Sequence, residues 1–397
     1  MISVDKALDI LSDHILSPEP VSTPLHEALG ATTSEAVFAG LTLPPQDASA
    51  MDGYAVKLDD VKQSGTRLRI IGEVPAGHDF DGELKVGEAV RIFTGSPIPK
   101  GAETVIIQEN VERLDNHIQI NHAQDQVKHI RRAGIDFHQG NKIIPTGKVI
   151  GPAEIALAAA SNLNAIKVFK RPKVAILAAG DELISPGDVY SPGKIVNSNT
   201  PSLSALIRHW GGEVVNIGLG KDDPDQIRDL FESARQGDII VPVGGASVGD
   251  YDYMRRVFND LGGKMIFEKI AVKPGKPTWF GQLGETPVLG LPGNPASALV
   301  CAHLFLTVLM GRPRKPSTQA FLTKSMPSNG PREHYLRAYG WIEKGQFLVK
   351  PFPRQDSSLL TPFLDANLLI RRAPLADSLA AGDLVEVLDL GTGPSFV

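Results

Sequence analysis

The sequence predicts a multidomain α/β and β protein, with one α/β domain, an inserted β domain and a C-terminal β-barrel-like domain. Residues 171–312 alternate apolar strands with amphipathic helices, which is typical of a three-layer α/β domain with a parallel-rich sheet. Residues 66–121 and the segment after 316 carry short strands separated by Gly and Pro. With 397 residues, and about 100–200 residues per domain, the chain is long enough for several domains.

Composition indicates a folded protein without a strong charge bias. Hydrophobic residues make up 42% and charged residues 21%, which excludes a disordered chain. The net charge of −5 argues against a general nucleic-acid surface, so we expect no nucleic-acid partner. The single cysteine, Cys301, excludes a disulfide framework and is expected in the core. No secretory signal and no apolar run of ~20 residues is visible, so we expect a cytoplasmic protein without membrane contact.

Helical patterns flank the first β-rich segment. Apolar residues at three- and four-residue spacing predict a helix over 4–15. Thr23, Pro24 and Gly30 predict a second short helix between them. The alanine-rich residues 152–160 predict a third helix, which we expect to pack back against the N-terminal segment.

These patterns divide the chain into four regions. The expected domains are an N-terminal helical and linker domain (1–45 and 141–170), an inserted β-rich domain (46–140), an α/β domain (171–316) and a C-terminal β domain (317–397). The strands of the two β domains are predicted at 67–71, 89–93 and 104–107, and at 333–338, 347–350 and 384–388.

The α/β region has the most regular order. Its strands are predicted at 173–177, 214–217, 238–243 and 286–291, and its helices at 201–210 (capped by Thr200), 224–235, 253–261 and 295–310. In parallel sheets, ligands bind outside the carboxyl ends of the strands. We therefore expect the loops that follow these strands to form the functional site.

Those loops carry glycines and carboxylates. Residues 244–252 and 291–297 are glycine-bearing, and the second of these loops opens a helix, so backbone N–H groups can approach an anion. Residues 180–183 and 221–224 supply acids of the kind that hold Mg²⁺ beside a phosphate. Each loop alone is more often a turn or an N-cap. Several at one sheet edge favour a phosphate-and-metal site.

A basic cluster lies between the two glycine-rich loops. Lys269, Lys273 and Lys276 fall within eight residues, and this spacing favours a phosphate or other oxyanion over three independent surface charges. Residues 273–277 do not spell a P-loop, because Pro277 replaces the Ser or Thr. Residues 244–249 do not spell a dinucleotide-binding fingerprint. No Ser/His/Asp, Cys/His or histidine-rich metal spacing is visible.

Eight motifs in one order make the chain recognisable as a whole. They are residues 49–55, 93–95, 132–136, 180–183, 197–199, 244–252, 273–277 and 291–295. With them the chain resembles the molybdopterin molybdenumtransferase family (MoeA and gephyrin E-domain) over nearly its full length. The resemblance implies that residues 171–316 form a molybdopterin-binding domain.

The resemblance also implies an activity. The family converts adenylylated molybdopterin and molybdate to molybdenum cofactor, with release of AMP and with Mg²⁺ as cofactor. It implies a homodimer whose cleft is shared between subunits, and a transient contact with the upstream adenylyltransferase. Asp52, Thr94 and Asp136 would then reach the cleft of the partner subunit.

The motif matches imply site residues in three groups. The expected catalytic residues are Asp52, Asp136, Glu182, Asp222, Asp252, Lys273 and Lys276. The expected substrate-binding residues are Thr94, Gly180, Ser198, Gly244, Gly245, Ser247, Gly249, Lys269, Pro292, Gly293, Asn294, Pro295, Ser297, Arg337 and Ser357. The expected metal ligands are Glu182, Asp250 and Asp252.

One departure and two alternatives accompany this interpretation. Ala179 stands where the family often has Thr, so a hydroxyl that contacts phosphate is absent. A molybdopterin adenylyltransferase shares the α/β portion, but residues 1–140 and 320–397 argue against it. A non-enzymatic gephyrin-like scaffold needs no acids and lysines, whereas Glu182, Asp252 and Lys276 are all present.

Overall fold

The chain divides into two units in the computed structural model, which describes residues 1–15, 19–75, 77–244, 253–314 and 316–391. One unit is Pro20–Phe169, and the other combines Met1–Glu19 with Lys170–Val397. No helix in these described ranges has both the length and the apolarity needed to cross a bilayer.

The N-terminal helix α1 (Val4–Asp13) belongs to the unit that contains the α/β domain. Val4, Ala7 and Leu11 form its buried face and join the core of that unit. The helix expected over 4–15 is therefore present. It packs with the α/β region and not with residues 20–45, where the sequence-based division had placed it.

The unit Pro20–Phe169 is rich in strands. These are β1 (Pro20–Pro24), β2 (Val37–Phe38), β3 (Ala48–Ser49), β4 (Gly53–Val56), β5 (Arg67–Val74), β6 (Glu88–Ile92), β7 (Thr104–Ile107), β8 (Val111–Leu114), β9 (His117–Ile120), β10 (Ile130–Arg131), β11 (Lys142–Ile144) and β12 (Ala165–Phe169), with helix α2 (Pro152–Ala160) before β12. Six of them form one sheet in the order β7-β4-β6-β5-β9-β8. The pairs β1–β12 and β2–β11 join the segments on either side of this sheet.

Residues 20–30 differ from the expected second helix. They form β1 and a single 3-10 turn at Leu25–Glu27. β1 pairs with β12 in a register that runs from Pro20 opposite Phe169 to Pro24 opposite Ala165. This pairing with β12 outweighs the local helix signals at residues 23–30. It is not visible from those residues, because the partner strand lies far along the chain.

The α/β domain follows. Its strands are β13 (Lys173–Ala179), β14 (Leu183–Ile184), β15 (Ile195–Val196), β16 (Glu213–Gly220), β17 (Ile239–Val243), β18 (Lys264–Phe267), β19 (Val272–Lys273), β20 (Trp279–Leu283) and β21 (Thr286–Gly290). Its helices are α3 (Asn199–His209), α4 (Pro224–Ala234), α5 (Tyr253–Asp260), α6 (Pro295–Cys301) and α7 (Thr307–Leu309), with a π-helix at Ala302–Leu306. The main sheet has the order β16-β13-β17-β21-β20-β18.

Helices cover both faces of this sheet, as expected. Ile176 of β13 packs with α1, α3 and α6 in one core, and Leu177 packs with α4 and α5 in the other. Alternating residues of one strand thus face opposite layers. The expected three-layer α/β domain is confirmed.

The sheet is mixed at one edge. β16, β13, β17 and β21 are parallel, but β20 is antiparallel to both β21 and β18. Only two residues connect β20 to β21, and Gly284 among them has a φ of +64°. So short a connection requires an antiparallel pair.

The C-terminal β domain is a closed barrel. Its elements are β22 (Ser317–Leu322), β23 (Glu333–Glu343), β24 (Gln346–Pro351), helix α8 (Pro362–Asp365), β25 (Leu368–Arg372) and β26 (Leu384–Asp389). The strands follow the order β23-β24-β22-β26-β25, and β25 pairs with β23 to close the ring. The short strand β19 of the α/β domain adds to β23 in parallel. The expected barrel-like fold is confirmed.

Candidate active site

A cleft of about 500 Å³ lies at the carboxyl ends of β13, β17 and β21. It is lined by Ala178, Ala179, Glu182, Leu183, Ile195, Asn197, Asn199, Val243, Gly244, Lys269, Lys276, Pro277, Pro292, Gly293 and Asn294. Seven of the residues expected from the sequence are among them: Glu182, Gly244, Lys269, Lys276, Pro292, Gly293 and Asn294. The position agrees with the rule that open parallel sheets bind ligands at this edge.

Two glycine backbones form part of the cleft wall. The Gly244 amide donates to the Leu291 carbonyl at 3.1 Å, which continues the pairing of β17 with β21. A Cβ atom at Gly293 would lie 3.4 Å from the Cα atom of Gly244. Gly244 has a φ of +86°, a conformation that side-chain-bearing residues rarely adopt. The absence of side chains here leaves backbone groups open to a ligand.

Asn199 is a cleft residue that sequence reasoning did not select. Its Nδ2 donates to the Gly293 carbonyl at 2.7 Å, so it links α3 to the loop before α6. Its Oδ1 is buried and has no hydrogen-bond partner among the described residues. An unpaired buried acceptor is costly unless a ligand supplies the donor. The sequence does point to Asn199, because this residue belongs to the motif at 197–199. The motif match implied a site role only for Ser198.

The start of α3 differs from the expected cap. Ser198 is the N-cap position, and Thr200 lies inside the helix. The Thr200 hydroxyl accepts from Asn197 Nδ2 at 2.8 Å, and the Thr200 amide donates to Asn197 Oδ1 at 3.2 Å. Asn197 therefore performs the role that the sequence suggested for Thr200.

Two of the three clustered lysines line the cleft. Neither Lys269 nor Lys276 has a carboxylate within ion-pair distance in the described part of the chain. The loop between them is closed by a hydrogen bond from the Ile270 amide to the Lys276 carbonyl at 3.1 Å. Lys273 lies on β19 opposite His334 and is not among the lining residues. Unpaired ammonium groups on a rigid loop are suited to phosphate or another oxyanion.

Carboxylates also gather at this edge, in the loops that follow β13 and β16. The Asp181 amide approaches Asp222 Oδ2 at 3.4 Å. Partial burial raises the pKa of Asp222, and the negative charges of Glu182 and Asp181 raise it further. A Cβ atom at Gly180 would lie 2.7 Å from Glu182 Oε2, so the carboxylate of Glu182 rests on this glycine.

This crowding fits a cation. Burial is the main cause of the raised pKa of Asp222, the charges of Glu182 and Asp181 add to it, and oxygen ligands of this kind suit Mg²⁺. No group of three or more His, Cys, Asp or Glu residues with metal-binding geometry occurs within the described ranges. Five expected residues of the loop after β17 lie outside those ranges: Gly245, Ser247, Gly249, Asp250 and Asp252.

A loop of the barrel domain contacts the start of α6. Asn294 Nδ2 donates to Ser357 Oγ at 3.0 Å, and the Ala296 amide donates to the Ser357 carbonyl at 2.9 Å. Ser357 is therefore next to the cleft residue Asn294. Pro295 is the first residue of α6, and Ser297 is buried in it.

Arg337 differs from its expected role as an oxyanion contact. It is 1% exposed. Its guanidinium donates to the carbonyls of Leu359 at 2.6 Å and Asp356 at 2.9 Å, and its Nε to Gln355 Oε1 at 3.3 Å. Three of its N–H groups donate within the protein, so Arg337 supports the loop that carries Ser357.

The remaining expected residues lie in the unit Pro20–Phe169. Asp52 Oδ1 accepts hydrogen bonds from the amide and the hydroxyl of Thr94, both at 2.8 Å. Asp136 is exposed, and its amide donates to the Leu43 carbonyl at 3.2 Å. In the same unit Asp47 pairs with Arg132 and accepts from the Ala133 amide at 2.8 Å. The carboxylate of Asp52 thus joins motif 49–55 to motif 93–95, and the carboxylate of Asp47, just before motif 49–55, joins this segment to motif 132–136.

Comparisons with known proteins cover nearly the whole chain. Residues 2–161 match the family model of the MoeA N-terminal region (domain I and II), 175–311 the probable molybdopterin binding domain, and 319–390 the MoeA C-terminal region (domain IV). A molybdopterin molybdenumtransferase from Haemophilus influenzae is 32% identical over 98% of both chains. Molybdopterin molybdenumtransferase 2 from Mycobacterium tuberculosis is 33% identical over 98% of this chain and 100% of its own.

A solved structure supports the same assignment. The molybdopterin biosynthesis MoeA protein of Pyrococcus horikoshii superposes with a TM-score of 0.80 at 28% identity, over 98% of this chain and 100% of that one. Fold, domain order and sequence similarity agree along the full length, and the chain belongs to the MoeA family.

Proposed function

We propose that this protein inserts molybdenum into adenylylated molybdopterin, with molybdate as the second substrate and AMP as a product, in molybdenum cofactor biosynthesis. The observation that carries the proposal is the cleft at the carboxyl edge of the sheet, which is lined by Gly244 and Gly293 together with Lys269 and Lys276, two lysines without an ion-pair partner among the described residues. Such a site suits a ligand with phosphates and an oxyanion. The relatives named above support the reaction type.

In this proposal the residues of the cleft bind and orient the substrates. Lys269 and Lys276 hold phosphate and molybdate oxygens, and they neutralise the charge that develops as the phosphoanhydride to AMP breaks. Gly244 and Gly293 allow the substrate to approach the backbone. The unpaired Oδ1 of Asn199 accepts a hydrogen bond from an N–H or O–H group of the substrate.

We propose Mg²⁺ as the cofactor. Glu182 and Asp222, together with Asp250 and Asp252, would hold it, because Glu182 lines the cleft and its charge acts on the nearby Asp222 carboxylate. Mg²⁺ supplies charge neutralisation at the phosphoanhydride when bound. The lysines act on the opposite side of the same ligand.

AMP release tests the proposed function. The protein is incubated with adenylylated molybdopterin, molybdate and Mg²⁺, and AMP is measured by chromatography. We expect release by the wild type and a loss of about 100-fold in Lys276→Ala, because removing a buried-ligand charge contact costs about 2–3 kcal/mol. Lys264→Ala, an exposed lysine of the same domain, is the matched control and should keep full activity.

Two outcomes would overturn the proposal. Formation of adenylylated molybdopterin from ATP and molybdopterin would indicate the adenylyltransferase. Absence of AMP release in the wild type, with intact folding, would indicate a non-enzymatic scaffold.

We also propose a homodimer in which Asp52, Thr94 and Asp136 of one subunit complete the cleft of the other, and a transient contact with the upstream adenylyltransferase. Both are expectations from the family resemblance. Equilibrium sedimentation tests the first: a monomer at micromolar concentration would contradict it. Mixing the two impaired variants Asp52→Asn and Lys276→Ala tests it further, since a shared cleft restores part of the activity in mixed dimers.

A further inference from the structure

The loop that carries Asp52 is fixed by its backbone. The Gln108 amide donates to the Asp52 carbonyl at 3.2 Å, and the Gly95 amide donates to the Ser49 carbonyl at 2.8 Å. At Gly53 a Cβ atom would collide with the Ile106 carbonyl, so only glycine fits the residue that follows Asp52. The carboxylate therefore projects from a rigid backbone.

The two oxygens of the Asp52 carboxylate have different environments. Oδ1 accepts both hydrogen bonds from Thr94, one from the amide and one from the hydroxyl, each at 2.8 Å. Oδ2 accepts none from the residues that the structure describes. Two donors on one oxygen fix the rotation of the carboxylate. The other oxygen is left for a donor that the described residues do not provide.

Arg91 supplies the neighbouring positive charge. Its guanidinium carbon lies 5.0 Å from the ring centres of both Tyr54 and Phe93, and it donates to the Gly53 carbonyl at 3.2 Å and to Gln108 Oε1 at 2.7 Å. The Thr94 amide and hydroxyl, and then the charge of Arg91, lower the pKa of Asp52. The surroundings thus favour the ionised carboxylate.

From this geometry we infer that Thr94 is a positioning residue that acts through Asp52, and not a direct substrate contact. It engages Oδ1 so that Oδ2 receives a hydrogen-bond donor of the substrate. This inference rests on the proposed function for the role of Asp52. It differs from the expectation that Thr94 itself binds substrate, because the single proton of the Thr94 hydroxyl is donated to Asp52 and is not available to a substrate oxygen.

A double-mutant cycle in the full-length protein tests the inference. Thr94→Val removes the hydroxyl and keeps the amide donor, and we expect kcat/KM to fall about tenfold or more. In an Asp52→Asn background the same substitution should change the residual kcat/KM less than about twofold, since the group through which it acts is gone. Thr94→Ser keeps the hydroxyl and should restore most of the activity. Losses that multiply in the double variant would overturn the inference.

A second measurement does not depend on activity. In protein with ¹³C-labelled aspartate carboxyl groups, the Asp52 signal is assigned by its loss in Asp52→Asn and titrated by NMR. We expect a higher pKa in Thr94→Val than in the wild type and little change in Thr94→Ser. Thr66→Val, whose hydroxyl bonds only the Gln63 carbonyl, is the matched control. An unchanged Asp52 pKa in Thr94→Val overturns the inference even where AMP is released. A raised pKa without AMP release supports the geometry and counts against the proposed function alone.

Discussion

Cys301 lies directly beneath Gly275, with its Sγ atom in the volume that a Cβ atom at position 275 would occupy. The Gly275 carbonyl accepts hydrogen bonds from the amide and the hydroxyl of Thr278, at 3.0 and 2.7 Å. Gly275 also has a φ of +113°. The backbone next to Lys276 is therefore packed against the Cys301 side chain of α6.

Gly275→Ala should destabilise the protein by about 3 kcal/mol, because the added Cβ atom meets the Cys301 sulfur and also strains the backbone. The lysine loop must shift, so we expect weaker binding of phosphate as well. Urea unfolding measures the first effect and calorimetric titration the second.

Gly284→Ala is the matched control for backbone strain. Gly284 has a φ of +64°, and a Cβ atom added there would meet no described atom within 4 Å. Its substitution should cost only about 1 kcal/mol. Gly275→Ala combined with Cys301→Ala should recover part of the loss. An equal cost at positions 275 and 284 would show that the sulfur contact is unimportant.

Arg337→Met should destabilise the protein by about 2–4 kcal/mol, because it removes the hydrogen bonds that the buried Arg337 side chain donates to the carbonyls of Asp356 and Leu359. The loss of loop support should displace Ser357 and weaken oxyanion binding as a consequence. Thermal unfolding and phosphate titration measure the two effects.

Ser357→Ala helps to distinguish a supporting role of Arg337 from direct contact of Arg337 with the oxyanion. It removes only the hydrogen bond from Asn294 and should cost about 1 kcal/mol. If Arg337 touched the oxyanion directly, Arg337→Met would keep its unfolding temperature and lose only affinity. That result would restore the role expected from the sequence.

Elements whose partners are local or uniformly apolar could be predicted from the sequence. β13 is buried on both faces, so its residues are almost all apolar. α4 begins at Pro224 after Asp223, whose side chain accepts from the Gln226 amide, and both signals are visible locally. The cleft edge was predicted for the same reason, since it follows from strand direction alone.

Features that depend on distant partners could not be predicted. β1 is defined by its pairing with β12, which overrides the helix signals at Thr23 and Pro24. The function of Arg337 depends on the loop containing Asp356 and Leu359, whose course is not encoded near the arginine. The unpaired Oδ1 of Asn199 likewise results from the approach of Gly293 across the sheet edge.

His334 should make stability fall in mild acid. Burial lowers its pKa from 6.5 to about 4, and nearby positive charges, Lys273 and Arg332 first among them, act in the same direction. In the unfolded chain the His334 side chain therefore binds a proton below pH 6.5, whereas in the folded chain it does so only below about pH 4. Stability is lost as pH falls through this window, by about 1 kcal/mol at about pH 5 with allowance for partial exposure.

Thermal unfolding at about pH 7 and about pH 5 measures this contribution. His334→Gln cannot take up the proton, so its unfolding temperature should fall less over the same interval. His117→Gln, at an exposed position on β9, should behave as the wild type. Equal slopes for all three proteins would contradict the role of His334.

Asp222→Asn should weaken Mg²⁺ binding without destabilising the protein. Burial and the charges of Glu182 and Asp181 raise the pKa of Asp222. Ionisation of this carboxyl group therefore costs more free energy in the folded state than in the unfolded chain. A neutral amide relieves that repulsion, and the free energy of unfolding without Mg²⁺ should stay equal or rise by up to about 1 kcal/mol. The neighbouring Asp223→Ala removes the cap of α4 and should cost about 1 kcal/mol while Mg²⁺ affinity is retained. Calorimetric titration with Mg²⁺ and urea unfolding of both variants provide the comparison. The opposite pattern, with Asp222→Asn less stable and Mg²⁺ affinity unchanged, would make this carboxylate a structural group and remove it from the proposed metal site.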